Sequence, residues 1–309
     1  MRLAQLITTV LAASIPTLLC AQAALETLPV QGSVYALMGS SGNATVQIGP
    51  EGPLVVDTQP AASSEQVIAA IRALSPRPIR HIVLTSGDPQ TAGGAASLSK
   101  AGRYVRVIDS IDPRGGDTRA SIIAHLNVLN RMTAGGEASG SWPTETYLTP
   151  DWSVFSNGEA VQFFHVPAAH TDGDTIVFFR RSDVVSTGAV YDAEAYPRFD
   201  PASGGSIDGI IDALNRVIDI AIPGENQEGG TVIVPWRGRL SDETDVANYR
   251  DMVTIVRDRV RAMVEKGQTL EQVRRASPTA DYDGLYVTPA WTADQFVEAV
   301  FRSVSTERR

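Results

Sequence analysis

The sequence predicts a mixed α/β (α+β) protein, a four-layer αββα sandwich with additional C-terminal helices. Two successive series of short β-rich segments are each followed by segments with helical hydrophobic spacing, and this order indicates two sheets packed face to face with helices outside. Apolar and charged fractions of 43% and 20% are typical of a globular protein. We expect one domain over residues 24–309, with a helical extension over about 242–309.

The first 23 residues have the pattern of a secretory signal peptide. A basic residue precedes an apolar stretch over 6–20, which is too short and too interrupted for a transmembrane anchor. Small residues at Ala21 and Ala23 suit signal-peptidase cleavage after Ala23. Leu19 is too bulky for the position before the cysteine of a lipobox, so we expect no lipid anchor at Cys20. Cleavage after Ala23 removes Cys20, the single cysteine, so we expect a mature chain without a thiol. The protein is therefore expected to be exported, periplasmic or extracellular.

The net charge of the chain limits the classes of partner that it can bind. The chain carries a formal net charge of −9 and shows no basic cluster. Proteins that bind nucleic acids or anionic membrane surfaces need concentrated positive charge. We therefore expect no nucleic-acid partner.

The first series predicts a strand meander and then a β-loop-α-β unit. Segments separated by glycine-bearing turns predict strands over 33–37, 44–48 and 53–56. Helical spacing predicts a helix from Ser63 to the prolines at 76 and 78. A strand over 82–84, a loop over 85–91, a short helix after the two glycines at 93 and 94 and a strand over 104–108 follow. Such units place functional residues at strand ends.

The second series repeats the scheme. A helix is predicted over 118–129 and a small-residue loop over 134–141. Strands are predicted over 160–166, 176–179 and 184–186, then a helix from Ser206 and a strand over 231–234. The C-terminal helices are predicted over 242–266, 270–276 and 292–304.

Five segments, in order, resemble the motifs of the metallo-β-lactamase-fold metallo-hydrolase superfamily. The segment from Thr85 to Gly94 reads T-S-G-D-P-Q-T-A-G-G, where the superfamily has T-H-x-H-x-D-H-x-G-G after a buried strand. The others are G-P-L-V-V-D-T ending near Asp57, A-H-T-D-G-D-T around His170, T-G-A ending at Ala189, and V-P-W-R-G around Arg237. The match runs from residue 34 to about 257. It implies the metallo-β-lactamase-like αββα fold in a divergent, exported member.

The same resemblance implies that most zinc ligands are replaced. Ser86, Asp88, Gln90 and Thr91 stand where the loop has its three histidines and its aspartate, Ala189 replaces a bridging aspartate and Arg237 replaces the last histidine. Only His170 remains of the family ligands. Zinc takes about four donors, about three of them from protein in catalytic sites, and the vestigial positions Asp88 and His170 supply two. No metal cofactor is therefore expected here, although the family binds zinc.

Two hypotheses follow for the charges left in the cleft. Asp88 and Arg237 could pair across it, because an unpaired buried charge is costly and a guanidinium fork suits a carboxylate. Alternatively, Arg237 faces the pocket and binds an anionic ligand. His170 itself fits a structural role, a relic ligand or a general base. The expected ligand-binding cleft consists of Asp57, Ser86, Asp88, Gln90, Thr91, His170, Ala189, Trp236 and Arg237.

Three functions are compatible with this pattern. The first is a non-catalytic pseudoenzyme that keeps the cleft for a small molecule or a protein partner, since the framework residues Asp57, Gly93, Gly94 and Gly188 are preserved while the ligands are not. The second is a hydrolase of β-lactams, lactones or other esters and amides, with a reduced metal site made by Asp88, His170 and a carboxylate such as Asp192 or Glu194. The third is metal-free hydrolysis through Ser86 and His170, with Asp57 as third member, although no G-x-S-x-G elbow is present.

Overall fold

Two β-sheets face each other in the middle of the structure, a computed structural model that describes residues 25–104 and 118–306. The larger sheet has seven strands that lie side by side in chain order: β1 (Glu26–Gln31), β2 (Val34–Gly39), β3 (Gly42–Gln47), β4 (Leu54–Val56), β5 (His81–Val83), β6 (Ser121–His125) and β7 (Glu145–Tyr147). Strands β1 to β4 form an antiparallel meander, of which β2 to β4 were predicted, and β4 to β7 are parallel.

The smaller sheet has five strands: β8 (Asp151–Ser156), β9 (Glu159–His165), β10 (Thr175–Phe179), β11 (Val184–Ser186) and β12 (Val232–Val234). They lie in the order β12-β11-β10-β9-β8, with only β11 and β12 parallel. Parallel pairing places the ends of β11 and β12 at one edge of the sheet. The T-G-A and V-P-W-R-G segments follow these two ends and are therefore neighbours.

The helices cover the outer faces. The first half supplies α1 (Ser64–Leu74), α2 (Pro89–Ala92), α3 (Ala95–Ala101) and α4 (Leu126–Ala134), and the second supplies α5 (Ile207–Ile220), α6 (Glu243–Glu265), α7 (Leu270–Arg275), α8 (Asp283–Tyr286) and α9 (Ala293–Thr306). The predicted C-terminal helices are thus present. Within 25–104 and 118–306, no helix is long and apolar enough to cross a bilayer.

Three hydrophobic clusters separate the four layers. One joins the outer face of the larger sheet to α1, α3 and α4, a second fills the space between the sheets, and a third joins the smaller sheet to α5, α6, α7 and α9. Neighbouring residues of β5 and β6 go to different clusters: Ile82 and Ile122 face the helices, while Val83 and Ile123 face the other sheet. Both faces of these strands are therefore buried, as in parallel sheets covered on both sides. The αββα prediction is confirmed.

The helix predicted over 118–129 is wrong in its first part. Ser121–His125 is the buried strand β6, and the helix begins only at Leu126, where the His125 ring nitrogen Nδ1 accepts a hydrogen bond from the Asn127 amide at 3.3 Å. An apolar segment buried on both faces has no period that distinguishes strand from helix.

Other differences concern short elements. Strands β1, β7 and β8 and helix α8 were not predicted, and the loop predicted over 85–91 contains the start of α2. The strand predicted over 104–108 lies outside the described residues from 105 onward, as does the whole signal-peptide segment.

Candidate functional site

Asp57 connects the end of β4 to the signature loop. Its carboxylate accepts hydrogen bonds from the Thr85 amide at 2.9 Å and from the Thr85 hydroxyl at 2.8 Å. Burial raises the pKa of Asp57 to about 7, although the Thr85 hydrogen bonds oppose the rise, and the charges of Asp174 and Asp88 add to it. Asp57 thus braces the loop from within the core.

Two glycines of the framework are required by close approach. Gly188 has φ +53°, and a Cβ there would lie 2.2 Å from Thr85 Oγ1. A Cβ at Gly93 would lie 2.5 Å from the Pro89 carbonyl oxygen. The T-G-A segment therefore packs directly on the residue that binds Asp57, so three of the five motif segments form one unit.

The replaced ligand positions of the signature loop are bonded to one another. The Ser86 and Thr91 hydroxyls lie 2.9 Å apart, and the Asp88 amide donates to Ser86 Oγ at 3.2 Å. Thr91 Oγ1 also donates to the Asp88 carbonyl, and the Asp88 carboxylate begins α2 by accepting from the Gln90 amide at 2.7 Å. Ser86 and Thr91 are buried, whereas Gln90 is exposed. The loop thereby satisfies its own polar groups.

His170 forms an ion pair with Asp88. Its Nε2 lies 3.3 Å from Asp88 Oδ2, and its Nδ1 lies 2.9 Å from the Arg198 carbonyl oxygen. Both nitrogens face acceptors, so the doubly protonated imidazolium satisfies both contacts. Burial disfavours that charge, but the Asp88 hydrogen bond and the negative charges of Asp174 and Asp88 raise the pKa of His170 above its ordinary value.

The pKa of Asp88 moves the opposite way, as an ion pair requires. Burial alone would raise it, but hydrogen bonds from His170 and the Gln90 amide, with the charges of His170 and Arg198, lower it. The hypothesis that Asp88 pairs with Arg237 is therefore not met. In the part of the chain that the structure describes, Arg237 makes no ion pair.

The segment that carries His170 is fixed from several sides. Asp174 is buried and accepts from the Thr171 amide at 2.7 Å and the Thr171 hydroxyl at 2.9 Å, and burial raises the pKa of Asp174 to about 6. The Asp200 amide donates to the His170 carbonyl at 2.8 Å. The His170 side chain is only 12% exposed, so little of it is open to a solute.

Arg237, Trp236 and Asp192 form a second polar cluster beyond β12. The Arg237 guanidinium stacks on the Trp236 ring, 4.5 Å from its centroid, and Asp192 and Arg237 are joined by a parallel bridge of their backbones. Asp192 Oδ1 accepts from the Glu194 amide at 2.9 Å. Burial raises the pKa of Asp192 to about 6, against the positive charges of Arg237 and Arg198.

Several buried atoms of this cluster are not satisfied. Asp192 Oδ2, Arg237 Nε and Trp236 Nε1 have no hydrogen-bond partner among the residues that the structure describes. Asp192 is 3% exposed and Trp236 8%. Buried polar atoms in proteins are almost always paired, with protein or with a bound group. Ala189 is also buried nearby, in the turn of residues 188–190, and contributes no polar atom.

These residues do not fit a zinc ion. Over 25–104 and 118–306, no group of three or more His, Cys, Asp or Glu lies together as metal ligands would, so neither Asp192 nor Glu194 completes a site with Asp88 and His170. His170 Nε2 is already bonded to Asp88, and the position of the last histidine holds the permanent cation of Arg237. Among the described residues, these side chains therefore do not bring together the three or four donors that a zinc ion takes.

The triad of Ser86, His170 and Asp57 is not assembled either. Ser86 bonds to Thr91 and to the Asp88 amide, His170 bonds to Asp88 and Arg198, and Asp57 bonds to Thr85. Each member has partners other than those that a hydrolytic triad requires.

Arg198 is the site residue that sequence reasoning missed. Its carbonyl oxygen fixes His170, and its charge acts on both Asp88 and Asp192. Burial, together with the nearby Arg237, lowers the pKa of Arg198. No motif marks this residue, because only the course of the chain after β11 brings it to the cleft.

A cavity of about 680 Å³ lies beyond Arg198, whose guanidinium is 5.1 Å from the Trp291 ring that lines it. The walls come from α9 and from the turn Pro201–Ser203 and include Phe301 and Arg302. The cavity contains none of the motif residues, so its size does not locate the candidate site.

Comparisons with known proteins agree with the fold. No family model matches the sequence, and no curated protein matches it. Solved structures do match. The metallo-beta-lactamase from Pontibacter korlensis is 14% identical, with a TM-score of 0.55 over 74% of this chain and 99% of that one. The DIM-1 metallo-beta-lactamase gives 14% identity and a TM-score of 0.55 over 74% of this chain and 97% of its own.

A stereoselective inverting sec-alkylsulfatase, Pisa1 from Pseudomonas sp., matches more of the chain. The identity is 13% and the TM-score 0.63 over 90% of this chain, which spans about half (50%) of the sulfatase. At such identities the likeness concerns the fold.

Proposed function

The chain has the metallo-β-lactamase fold, and from this premise we propose that it is a non-catalytic protein that binds a small anion in the cleft where proteins of this fold bind metal. The observation that carries the proposal is Arg237. It stands at the position of the last histidine ligand, makes no ion pair within the described ranges, and keeps a buried Nε without a partner. A guanidinium offers a fork of donors that suits carboxylate, sulfate and phosphate oxygens.

The surrounding charges support an anion. Arg198 lies close enough to Arg237 for the positive charge of Arg237 to lower the pKa of Arg198, and burial weakens the screening between them. The acid beside them, Asp192, has a pKa of about 6 and so compensates them only in part near that pH. A bound anion would relieve the repulsion between the two arginines.

The absence of a positioned catalyst supports a non-catalytic role. A general base needs a ring nitrogen free to take a proton from the substrate, and both nitrogens of His170 are already bonded, to Asp88 and to the Arg198 carbonyl. A nucleophile needs a base beside it, and the Ser86 hydroxyl bonds to Thr91 instead. Export to the periplasm or the medium, which the first 23 residues indicate, is part of the same proposal. The ligand would then be an extracytoplasmic small molecule.

Anion binding can be tested directly with the purified protein. We expect phosphate or sulfate to raise the melting temperature and to bind in isothermal titration calorimetry, and Arg237→Ala to weaken binding at least tenfold. Arg180→Ala is the matched control, since it removes the same charge from an exposed turn after β10. Equal loss in both variants, or no binding by the wild-type protein, would contradict the proposal.

A hydrolase is the second candidate, since two of the matched structures are metallo-beta-lactamases and a third is an alkylsulfatase. It requires a metal held by Asp88 and His170 with a further ligand. Metal analysis after zinc or manganese loading, beside a panel of β-lactams, lactones and alkyl sulfates, separates the two. Stoichiometric metal with turnover that a chelator abolishes would replace the first proposal by the second. Turnover that ignores the chelator and disappears in Ser86→Ala would indicate the metal-free alternative.

A further inference from the structure

The unpaired polar atoms of Asp192 and Arg237 restrict the hydrogen-bonding groups of a bound ligand as well as its charge. Asp192 and Arg237 are neighbours through their backbone bridge, and bridged residues of adjacent strands point their side chains to the same side. No ion pair joins them, and the Arg237 guanidinium lies over the Trp236 ring instead. The carboxylate oxygen Asp192 Oδ2 and the guanidinium Arg237 Nε are both buried and both unpaired. A carboxylate and a guanidinium that remain apart in a buried place leave a position for a bridging group.

The bridging group must have two kinds of hydrogen-bonding atom. Arg237 Nε can only donate, so it requires an acceptor. Ionised Asp192 can only accept, so it requires a donor. Sulfate, and any other fully deprotonated oxyanion, satisfies the arginine but places an oxygen without a proton against the carboxylate. Monohydrogen phosphate has oxygens for the arginine and an O–H for the aspartate.

We infer that the cleft selects an oxyanion that carries its own proton, namely monohydrogen phosphate or a singly ionised phosphate ester, and that Asp192 rejects sulfate. This inference rests on the proposed anion-binding function. Arg198 and Glu194 also face Asp192, and the buried Tyr249 lies within its field. A guanidinium can only donate hydrogen bonds and accepts either anion in the same way, so the acid makes the selection.

Calorimetric titration at pH 8 with inorganic phosphate and with sulfate tests the selection. The wild-type protein should bind phosphate at least tenfold more tightly than sulfate. In Asp192→Asn, whose amide can donate to either anion, sulfate should bind more tightly than before and the preference should fall below threefold. The control Asp219→Asn, on the exposed side of α5, should keep the wild-type preference.

A second measurement on the wild-type protein needs no variant. At pH 5 most Asp192 is protonated, since its pKa is about 6, and it can donate to sulfate. The preference for phosphate should therefore shrink in the wild-type protein and change less in Asp192→Asn, in which only the ligand titrates. Methyl phosphate at pH 8 is a further probe: the second pKa of a phosphate monoester is about 6, so the ester has lost its O–H there and should bind the wild-type protein as weakly as sulfate.

The outcomes separate this inference from the function on which it rests. If both anions bind equally at pH 8, or if Asp192→Asn leaves the preference unchanged while Arg237→Ala abolishes binding, the selection by Asp192 is wrong and anion binding stands. If neither anion binds the wild-type protein, the bridging group is water and both proposals fail.

Discussion

Asp88→Asn gives the sharpest test of the site, because it removes a charge and nearly preserves the shape. The side-chain amide oxygen of the variant can still accept from His170 Nε2, but without the negative charge that favours the imidazolium. In the variant, burial still lowers the pKa of His170, and only the negative charge of Asp174 and the hydrogen bond to the Arg198 carbonyl still raise it. A charge-assisted hydrogen bond contributes about 1.5–3 kcal/mol, and one pKa unit corresponds to about 1.36 kcal/mol. The pKa of His170 should therefore fall by about one to two units.

Proton NMR titration of the histidine rings measures this pKa. The chain has four histidines, and His81, whose pKa burial and Arg80 lower to about 4, does not overlap with His170. In the wild-type protein His170 should titrate above its ordinary value of 6.5. A wild-type pKa at or below 6.5, or no fall in Asp88→Asn, would refute the ion pair. Asp219→Asn, far along α5 and exposed, should leave the titration unchanged.

The stability of the same variant has a defined pH window. His170 has a raised folded-state pKa, so its contribution is complete below 6.5 and disappears as the pH rises through that raised pKa. Asp88 has a lowered folded-state pKa, so its contribution to the free energy of unfolding is present above pH 3.8 and disappears as the pH falls through that lowered pKa. The loss in Asp88→Asn should be greatest between those two ordinary values. About 1–2 kcal/mol is expected there, since the Asp88 side chain is 31% exposed.

Two further predictions concern the framework. The pKa of Asp57 is raised from 3.8 to about 7, so its ionisation destabilises the fold progressively as the pH rises between those values. Asp57→Asn should remove that dependence, and in urea unfolding from pH 4 to 7 the free energy of unfolding of the variant should rise by up to about 4 kcal/mol relative to that of the wild-type protein. A difference that stays constant with pH would be inconsistent with a buried ionising group. Gly188→Ala should lower the free energy of unfolding by about 1–3 kcal/mol more than Gly136→Ala, because both glycines have positive φ but only a Cβ at Gly188 would meet Thr85. Equal losses of stability in thermal unfolding would mean that movement of the loop relieves the contact.

Most of the fold could be predicted from the sequence. Alternation and glycine turns predicted the meander β2 to β4, and helical spacing predicted α1, α5, α6 and α9, because these patterns are local. β6 was predicted as helix, because Ile122 and Ile123 are buried on opposite faces and give no period. Strands β7 and β8 are edge strands of the two sheets. β7 has only three residues, and in β8 the exposed Phe155 follows Val154 and interrupts the alternation of polar and apolar residues.

The sequence by itself determined which side chains stand at the motif positions. By the resemblance, Ser86, Gln90, Thr91 and Ala189 stand where nitrogen and carboxylate ligands are expected, and none of these side chains carries an imidazole or a carboxylate. Only the tertiary structure decided how the remaining charges pair. Asp88 bonds to His170 rather than to Arg237, and Arg198 comes in from outside the motifs. Pairing depends on distances between segments far apart in the chain and on the stacking that holds a guanidinium in place, and neither is encoded in any local pattern.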